Sequence, residues 1–295
     1  MPIPEPTPFD DLWTYSDPAA TETAFRKILP TVNGLEDRRL YLELQTQIVR
    51  TLGLQRQFDD AHSLLETIAD DCQSYGKRPM IRYLLELGRT FNSSGFKDIA
   101  HPLFIQAFEL GKELGDETLT IDAAHMVAIV ETDEKAINWN LTAIAMAEVA
   151  EDPRARKWMG SLTNNLGWTY HDRGECDRAL ELFQKALDYR LTVGDAETIR
   201  IARWCVARCL RSLGCTEEAL NMQLEQYSIR KAVGKVDGFN LQEIGECLLD
   251  LGRVEDSHEW FGKAYESLSK DPWVAANQPE LLERLKMNAQ PAAAE

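Results

Sequence analysis

The chain has 295 residues, of which 44% are hydrophobic and 27% are charged. This balance is typical of a globular protein and excludes disordered, collagen-like and membrane-embedded compositions. The 48 acidic residues outnumber the 32 basic ones, so the net charge at pH 7 is −16. Because so acidic a surface repels phosphate backbones, we expect no nucleic-acid partner.

The first ten residues contain four prolines and lack the basic segment and apolar core of a signal peptide. No apolar run reaches the roughly 18 residues that span a bilayer, so we expect no membrane partner. The chain has six cysteines, none of them in a Cys-x-x-Cys pair. Since a chain of this length does not need disulfides, we interpret them as reduced thiols of a cytoplasmic protein.

Proline placement predicts an almost entirely helical body, because nine of the 12 prolines lie in the first 30 or the last 24 residues. The first predicted helix starts after Asp17-Pro18, an N-cap followed by proline at the first helical position. A polar-faced helix near 279–288 closes the C-terminal end. Between them we predict six helix pairs, over 36–53 and 58–74, 79–93 and 97–114, 117–130 and 133–150, 154–173 and 176–192, 196–213 and 216–232, and 238–251 and 254–269.

Three segments follow from these elements. Residues 1–16 are expected to be a disordered proline-rich tail. Residues 17–288 are expected to form a single superhelical domain. Residues 289–295 are expected to be a second disordered tail.

Six segments share one pattern of apolar and small residues. The clearest copy consists of Leu166, Gly167, Tyr170, Gly174, Ala179, Phe183 and Ala186. The same offsets recur from Leu87 and Ile244, and weaker copies start at Ile48, Ala123 and Val206. The average spacing is about 39 residues, which indicates a repeat architecture.

Each offset in the pattern has a physical reason. Leu166, Gly167 and Tyr170 form one stripe of a helix, in which the glycine lets a second helix approach closely. Gly174 suits the left-handed residue that ends a helix. Ala, Phe and Ala at i, i+4 and i+7 then form one face of the second helix. The unit is a helix hairpin whose apolar faces are buried fully only when neighbouring hairpins stack.

A resemblance to the tetratricopeptide repeat is carried by residues 164–187, which read Asn-Asn-Leu-Gly-Trp-Thr-Tyr-His-Asp-Arg-Gly-Glu-Cys-Asp-Arg-Ala-Leu-Glu-Leu-Phe-Gln-Lys-Ala-Leu. The copies are longer than the family's usual length of about 34 residues. They resemble the long-repeat type of kinesin light chains and Pins-like scaffolds. The resemblance covers roughly residues 38–270 and implies an all-α fold, a right-handed α-solenoid of about six helix hairpins with N- and C-terminal capping helices.

No motif in the sequence indicates catalysis or metal binding. The five histidines are scattered over different repeats, without His-Glu-x-x-His or Cys/His ligand spacing. Gly-x-Ser-x-Gly and the Walker loop are also missing. We therefore expect no catalytic residue, no metal and no cofactor, and a protein that is not an enzyme.

Candidate binding residues lie on the first helix of each pair, opposite the leucine–glycine stripe. The family resemblance implies that this face lines a concave peptide-binding groove. The Asn164-Asn165-Leu166 run resembles kinesin light chain repeats, where such amides hold an extended peptide backbone. Arginine and tryptophan are common among residues that dominate binding. The predicted groove residues are Arg82, Arg89, His125, Asn164, Asn165, Trp168, His171, Trp204, Arg208 and Arg211.

The same helix faces also carry carboxylates, among them Glu86, Asp122, Glu243 and Glu246. The alternative interpretation is that the arginines pair with neighbouring carboxylates and the tryptophans fill space between helices. The sequence leaves both interpretations open.

The expected function is a non-enzymatic protein–protein interaction scaffold or adaptor that binds a peptide or partner segment in the groove. Groove arginines would favour a partner with an acidic or carboxylate-bearing segment. The alternative is an intracellular regulator of the same repeat type that senses a peptide or small ligand. A third class, an enzyme, has no positive support in the sequence. The partner's identity and the choice between monomer and dimer stay open.

Overall fold

The computed structural model describes residues 9–32 and 37–290. Within these ranges the chain forms α-helices joined by short turns, with 3₁₀ turns at Asp10–Leu12 and Leu29–Thr31 and no β-strand. The predicted all-α fold, a series of helix hairpins in a repeat arrangement, is confirmed. None of the helices in these ranges combines the length and the apolarity needed to cross a bilayer.

The helices follow the predicted order closely. They are α1 (Pro18–Ile28), α2 (Arg38–Leu54), α3 (Phe58–Ser74), α4 (Lys77–Ser93), α5 (Lys97–Leu114), α6 (Glu117–Val130), α7 (Asp133–Val149), α8 (Pro153–Arg156), α9 (Met159–Asp172), α10 (Cys176–Val193), α11 (Ala196–Ser212), α12 (Thr216–Ala232), α13 (Gly238–Asp250), α14 (Val254–Leu268), α15 (Pro272–Asn277) and α16 (Pro279–Asn288). We call the first helices of the hairpins (α2, α4, α6, α9, α11, α13) A helices. The second helices (α3, α5, α7, α10, α12, α14) are B helices.

Contacts divide the described residues into two compact units, with the boundary between Leu162 and Thr163. In the first unit each helix from α2 to α7 packs on the next, both within a hairpin and across the boundary to the next hairpin. The A helix α4 also contacts the A helices on either side of it, α2 and α6. In the second unit α10 to α14 pack in the same sequential way, and A helices α11 and α13 are in contact. Each unit therefore presents a face built from neighbouring A helices.

The repeat glycines occupy the two positions that the sequence pattern predicts. Glycines after the A helices have a positive φ, which closes the hairpin turn without the strain that a Cβ would add. These are Gly95, Gly174, Gly214 and Gly252. Glycines beside the repeat leucine lie under a B-helix phenylalanine, in the pairs Gly88 with Phe104, Gly167 with Phe183, and Gly245 with Phe261.

Residues 9–16 differ from the disordered tail that the composition predicts. Phe9 is fully buried, and its ring centroid lies 6.1 Å from that of Phe25 in an edge-to-face contact. Trp13 also contacts Phe25, and its indole N–H donates to Gln47 Oε1 at 3.1 Å. Residues 9–16 themselves contain no proline, and burial of these aromatic side chains stabilises the segment against α1 and α2. The predicted disorder of residues 1–8 and 291–295 lies outside the described residues.

The predicted helix over 154–173 is divided in two. The Trp158 N–H donates to the Ala155 carbonyl at 3.1 Å, a tight turn between α8 and α9. The Trp158 ring packs on His125 of α6, with centroids 5.4 Å apart. This contact with a neighbouring A helix is a tertiary effect that the local periodicity does not contain.

The predicted C-terminal helix is present as α16, with one further short helix before it. Asp271 caps α15 by accepting from the Trp273 N–H at 2.8 Å. α16 packs on α14 and buries Leu285 completely. Its polar side faces outward, as expected of a helix that ends a repeat array.

Candidate functional site

In the first unit, the predicted groove residue Arg89 lies on α4 and is held between two carboxylates. It donates to Glu86 of its own helix and to Asp122 of α6. The side chains of Arg89 and Asp122 are each 14% exposed. Burial opposes ionisation of Asp122, but the Arg89 and Arg50 guanidinium groups together outweigh burial and lower the pKa of that carboxyl. Arg89 therefore ties two A helices together.

Arg82 pairs with a carboxylate in a similar way, about two turns earlier on α4. Its Nε lies 2.9 Å from Oε2 of Glu43, which is only 7% exposed. Arg78 shares this carboxylate at 3.4 Å and also lies 3.5 Å from Asp116. For the first unit, the alternative interpretation that arginines pair with neighbouring carboxylates describes both predicted arginines.

His125, the third predicted residue of this unit, lies buried on α6. Its Nδ1 has no hydrogen-bond partner among the described residues. Burial lowers its pKa to about 4; Asp122 opposes this shift, and the positive charges of Arg89 and Arg50 reinforce it. At neutral pH, His125 is therefore an uncharged packing residue against Trp158.

In the second unit, an aromatic cluster joins A helices α9 and α11. The ring of Trp168 lies 5.9 Å from that of Trp204 and 5.0 Å from that of His171. Trp168 also contacts Phe183 of the B helix α10. His171 Nε2 lies 2.9 Å from the Ser212 hydroxyl at the end of α11. Both tryptophans remain partly exposed, so the cluster borders the A-helix face.

The two predicted asparagines have different surroundings. Asn164 Oδ1 accepts a hydrogen bond from the Cys205 thiol at 3.3 Å, so this amide links α9 to α11. The side-chain amide of Asn165 is half-buried and has no partner within the described part of the chain. Asn165 therefore keeps both a donor and an acceptor for another molecule.

Arg208 and Arg211 of α11 converge on one buried carboxylate of α13. Glu243, which is 3% exposed, lies 3.3 Å from Arg208 and 3.0 Å from Arg211. Burial raises the pKa of Glu243, and the two guanidinium groups oppose the shift. Arg211 also binds Asp250, and Arg208 donates to the Ser212 hydroxyl at 2.5 Å. Both arginines are thus part of an ion-pair network between A helices.

The predicted residues fall into two sets, three in the first unit, where Arg82 pairs with Glu43 and Arg89 with Glu86 and Asp122, and seven in the second. Sequence reasoning did not select four residues that complete these sets. They are Glu43, Ser212, Ile201 and Phe239, the last two of which line a cavity beside Trp204. The sequence repeat already indicates the positions of three of them. Glu43, Ile201 and Phe239 all lie five positions before the leading residue of their repeat, as Arg82 does.

Comparisons with known proteins agree with this architecture. Residues 161–193 match the family model described as tetratricopeptide repeat. No curated protein sequence matches the chain.

Three solved structures illustrate the likeness of fold. The apo form of RapI is 14% identical, with a TM-score of 0.69 over 95% of this chain and 84% of RapI. NprR in complex with its cognate peptide NprX is 14% identical, with a TM-score of 0.57 over 97% of this chain and 88% of NprR. BtubC from P. vanneervenii is 16% identical, with a TM-score of 0.58 over 79% of this chain and 94% of BtubC.

At these identities the structural likeness shows the fold. The hairpin pattern, the glycine positions and the family match lead to one conclusion. The chain contains a tetratricopeptide repeat at residues 161–193 and has the helical-repeat fold of that family.

Proposed function

We propose that this protein is a non-enzymatic regulatory protein of the cytoplasm that binds a peptide, either free or as an extended segment of a partner protein, on the A-helix face of its second unit. The observation that carries the proposal is the unpartnered amide of Asn165, about one turn before the partly exposed Trp168 on α9, whose ring lies 5.9 Å from that of the partly exposed Trp204. An amide that donates and accepts, next to aromatic surfaces, is suited to an extended peptide backbone and an apolar side chain.

The structural likeness to NprR supports this mode of action, because that protein was crystallised with its cognate peptide NprX. An adaptor that holds a partner protein would use the same surface. We favour a peptide-sensing regulator over an adaptor on the strength of the NprR complex. A preference for acidic segments is not part of the proposal, because Arg208 and Arg211 already have a carboxylate partner in Glu243.

The absence of catalysis is also part of the proposal. Burial raises the pKa of the Cys72 and Cys247 thiols to about 12 and that of Cys205 to about 11, so these thiols are poor nucleophiles. The described residues contain no cluster of three or more His, Cys, Asp or Glu side chains that could hold a metal ion. Cysteines packed as thiols also fit a reducing compartment.

The first experiment is native mass spectrometry of the purified full chain with whatever co-purifies. A bound peptide supports the regulator, a bound protein supports the adaptor, and a non-peptide small molecule contradicts both.

With a peptide in hand, calorimetry measures its affinity for Asn165→Ala and for the matched control Glu181→Ala on the exposed face of α10. We expect Asn165→Ala to weaken binding by about 1–2 kcal/mol through lost backbone hydrogen bonds. The control should bind as the wild type does. Equal affinity of all three proteins would place the site elsewhere.

A further inference from the structure

A cavity of about 130 Å³ opens between the N-terminal parts of α11 and α13, next to the proposed binding face. It is lined by Arg200, Ile201, Trp204, Asp237 and Phe239. Arg200 donates to Asp237 at 2.7 Å, so the two charged groups in the wall neutralise each other. The remaining wall is an isoleucine, an indole and a phenyl ring. A purely apolar cavity of about 150 Å³ accommodates benzene, so this one has room for a single apolar side chain.

The Trp204 indole supplies a second observation at this cavity. Its N–H is buried and has no acceptor among the described residues. Because this nitrogen is enclosed, the indole presents its apolar ring to the cavity and no free donor.

The charges around the cavity indicate what kind of ligand fits. Arg200 is paired with Asp237 and Glu197. Arg208 and Arg211 are paired with Glu243. Because each arginine of this face is already matched by a carboxylate, a charged ligand residue would have to displace an internal ion pair, which an uncharged one does not.

We infer that this cavity is the anchor subsite for an aliphatic side chain of an uncharged, extended peptide segment that lies along the A-helix face. The inference rests on the proposed function and adds the chemistry of the ligand to it. Binding then depends on apolar burial and backbone hydrogen bonds, and it is insensitive to salt because no charge pair forms between peptide and protein.

The test selects ligands from a phage-displayed library of random heptapeptides on the immobilised full chain. Selected sequences are synthesised with blocked ends, and calorimetry gives their Kd at 50 and 500 mM NaCl. We expect one aliphatic position to be enriched, with uncharged neighbours and little change of Kd with salt. Replacing that residue by alanine should weaken binding by about tenfold or more.

Two protein variants test whether the selected peptide occupies the cavity or another part of the A-helix face. Ile201 is 37% exposed, so Ile201→Trp fills the cavity mouth without disturbing the core, and it should weaken the selected peptide about tenfold or more. Ile229→Trp, on the exposed surface of the B helix α12, is the matched control and should bind as the wild type does. Circular dichroism confirms that both variants are folded.

The outcomes distinguish this inference from the proposed function. A charged consensus with salt-dependent binding, or unchanged binding by Ile201→Trp, overturns the anchor subsite. If Asn165→Ala still weakens the same peptide, the proposed function stands without the subsite. Failure to select any peptide overturns both.

Discussion

The Phe183 ring of α10 packs directly on the α-carbon of Gly167 in α9. A Cβ added to Gly167 would lie 2.7 Å from Cε1 of that ring, closer than real side chains approach. Phe183 is fully buried. The crossing of these two helices is therefore set by the absence of a side chain at residue 167.

Because of the Gly167–Phe183 contact, we expect Gly167→Ala to change the free energy of unfolding in the direction opposite to that usual for glycine in a helix. In a helix interior, Gly→Ala normally stabilises by about 0.5–1 kcal/mol. Gly167→Ala should instead destabilise, and Gly167→Leu should lower the free energy of unfolding by about 1–3 kcal/mol or more through overpacking. Urea denaturation measures both.

Gly262 in α14 is the matched control for that substitution, since a Cβ there would meet its nearest neighbour, the Ala289 Cβ, at 3.7 Å. Gly262→Ala should stabilise by about 0.5–1 kcal/mol. A substitution at Glu181, which is exposed, should change stability by less than about 0.5 kcal/mol. Equal effects at Gly167 and Gly262 would contradict the close helix crossing.

His125 predicts a loss of stability in mild acid. Its pKa is about 4 in the folded protein and 6.5 in an unperturbed chain. Above pH 6.5 it is neutral in both states. Between pH 6.5 and 4 the unfolded chain binds a proton that the folded chain does not, so the free energy of unfolding falls as the pH falls. From pH 7.5 to pH 5 this contribution is about 2 kcal/mol.

The measurement compares urea unfolding of the wild type and His125→Phe at pH 7.5 and pH 5. Phenylalanine retains a ring against Trp158 and cannot titrate. The pH-dependent loss should be smaller in the variant by about 2 kcal/mol. The same pH dependence in both proteins would rule out His125 as its source.

We expect Arg211→Met to lose stability, and we expect this loss to become smaller as the pH falls, opposite to the effect of His125. The variant leaves the buried Glu243 with Arg208 as its remaining guanidinium partner. We expect a loss of about 1–3 kcal/mol at pH 8. Because burial already raises the pKa of Glu243, losing Arg211 raises it further, and protonation relieves more of the penalty at pH 5 than at pH 8. Thermal denaturation at the two pH values measures this difference.

Lys270→Ala is the control for the arginine variant, since Lys270 and its partner Glu266 are both largely exposed. Its melting temperature should match that of the wild type at either pH. If Arg211→Met lost more thermal stability at pH 5 than at pH 8, this would contradict the interpretation of Glu243 as a buried carboxylate that depends on Arg211 when it is ionised.

Thiol reactivity distinguishes the exposed cysteine from the buried ones. Cys215 is exposed, whereas Cys72, Cys205 and Cys247 are buried and have raised pKa values. An aromatic disulfide reagent at pH 7.5 should label Cys215 first and reach the buried thiols only on unfolding. Cys215→Ser should remove the fast phase. A fast phase that persists in this variant would point to a different reactive thiol.

The sequence by itself determined the repeat and its phase. Leu166, Gly167 and Phe183 recur at fixed offsets because both helices of a hairpin must bury one face and cross at one small residue. Gly174 and its equivalents end the A helices because only a residue without Cβ adopts that turn freely. These constraints act within about 20 residues, so periodicity alone shows them.

Only the tertiary structure decided the use of the polar face. Arg89 and Asp122 lie 33 positions apart, and Arg211 and Glu243 lie 32 apart, so each pair forms between neighbouring A helices. Whether such side chains meet depends on how far one helix slides along the next, which an irregular repeat length does not fix. For the same reason, the sequence pattern predicts the same role for Asn164 and Asn165, whereas in the structure Asn164 binds Cys205 and the Asn165 side-chain amide has no partner among the described residues.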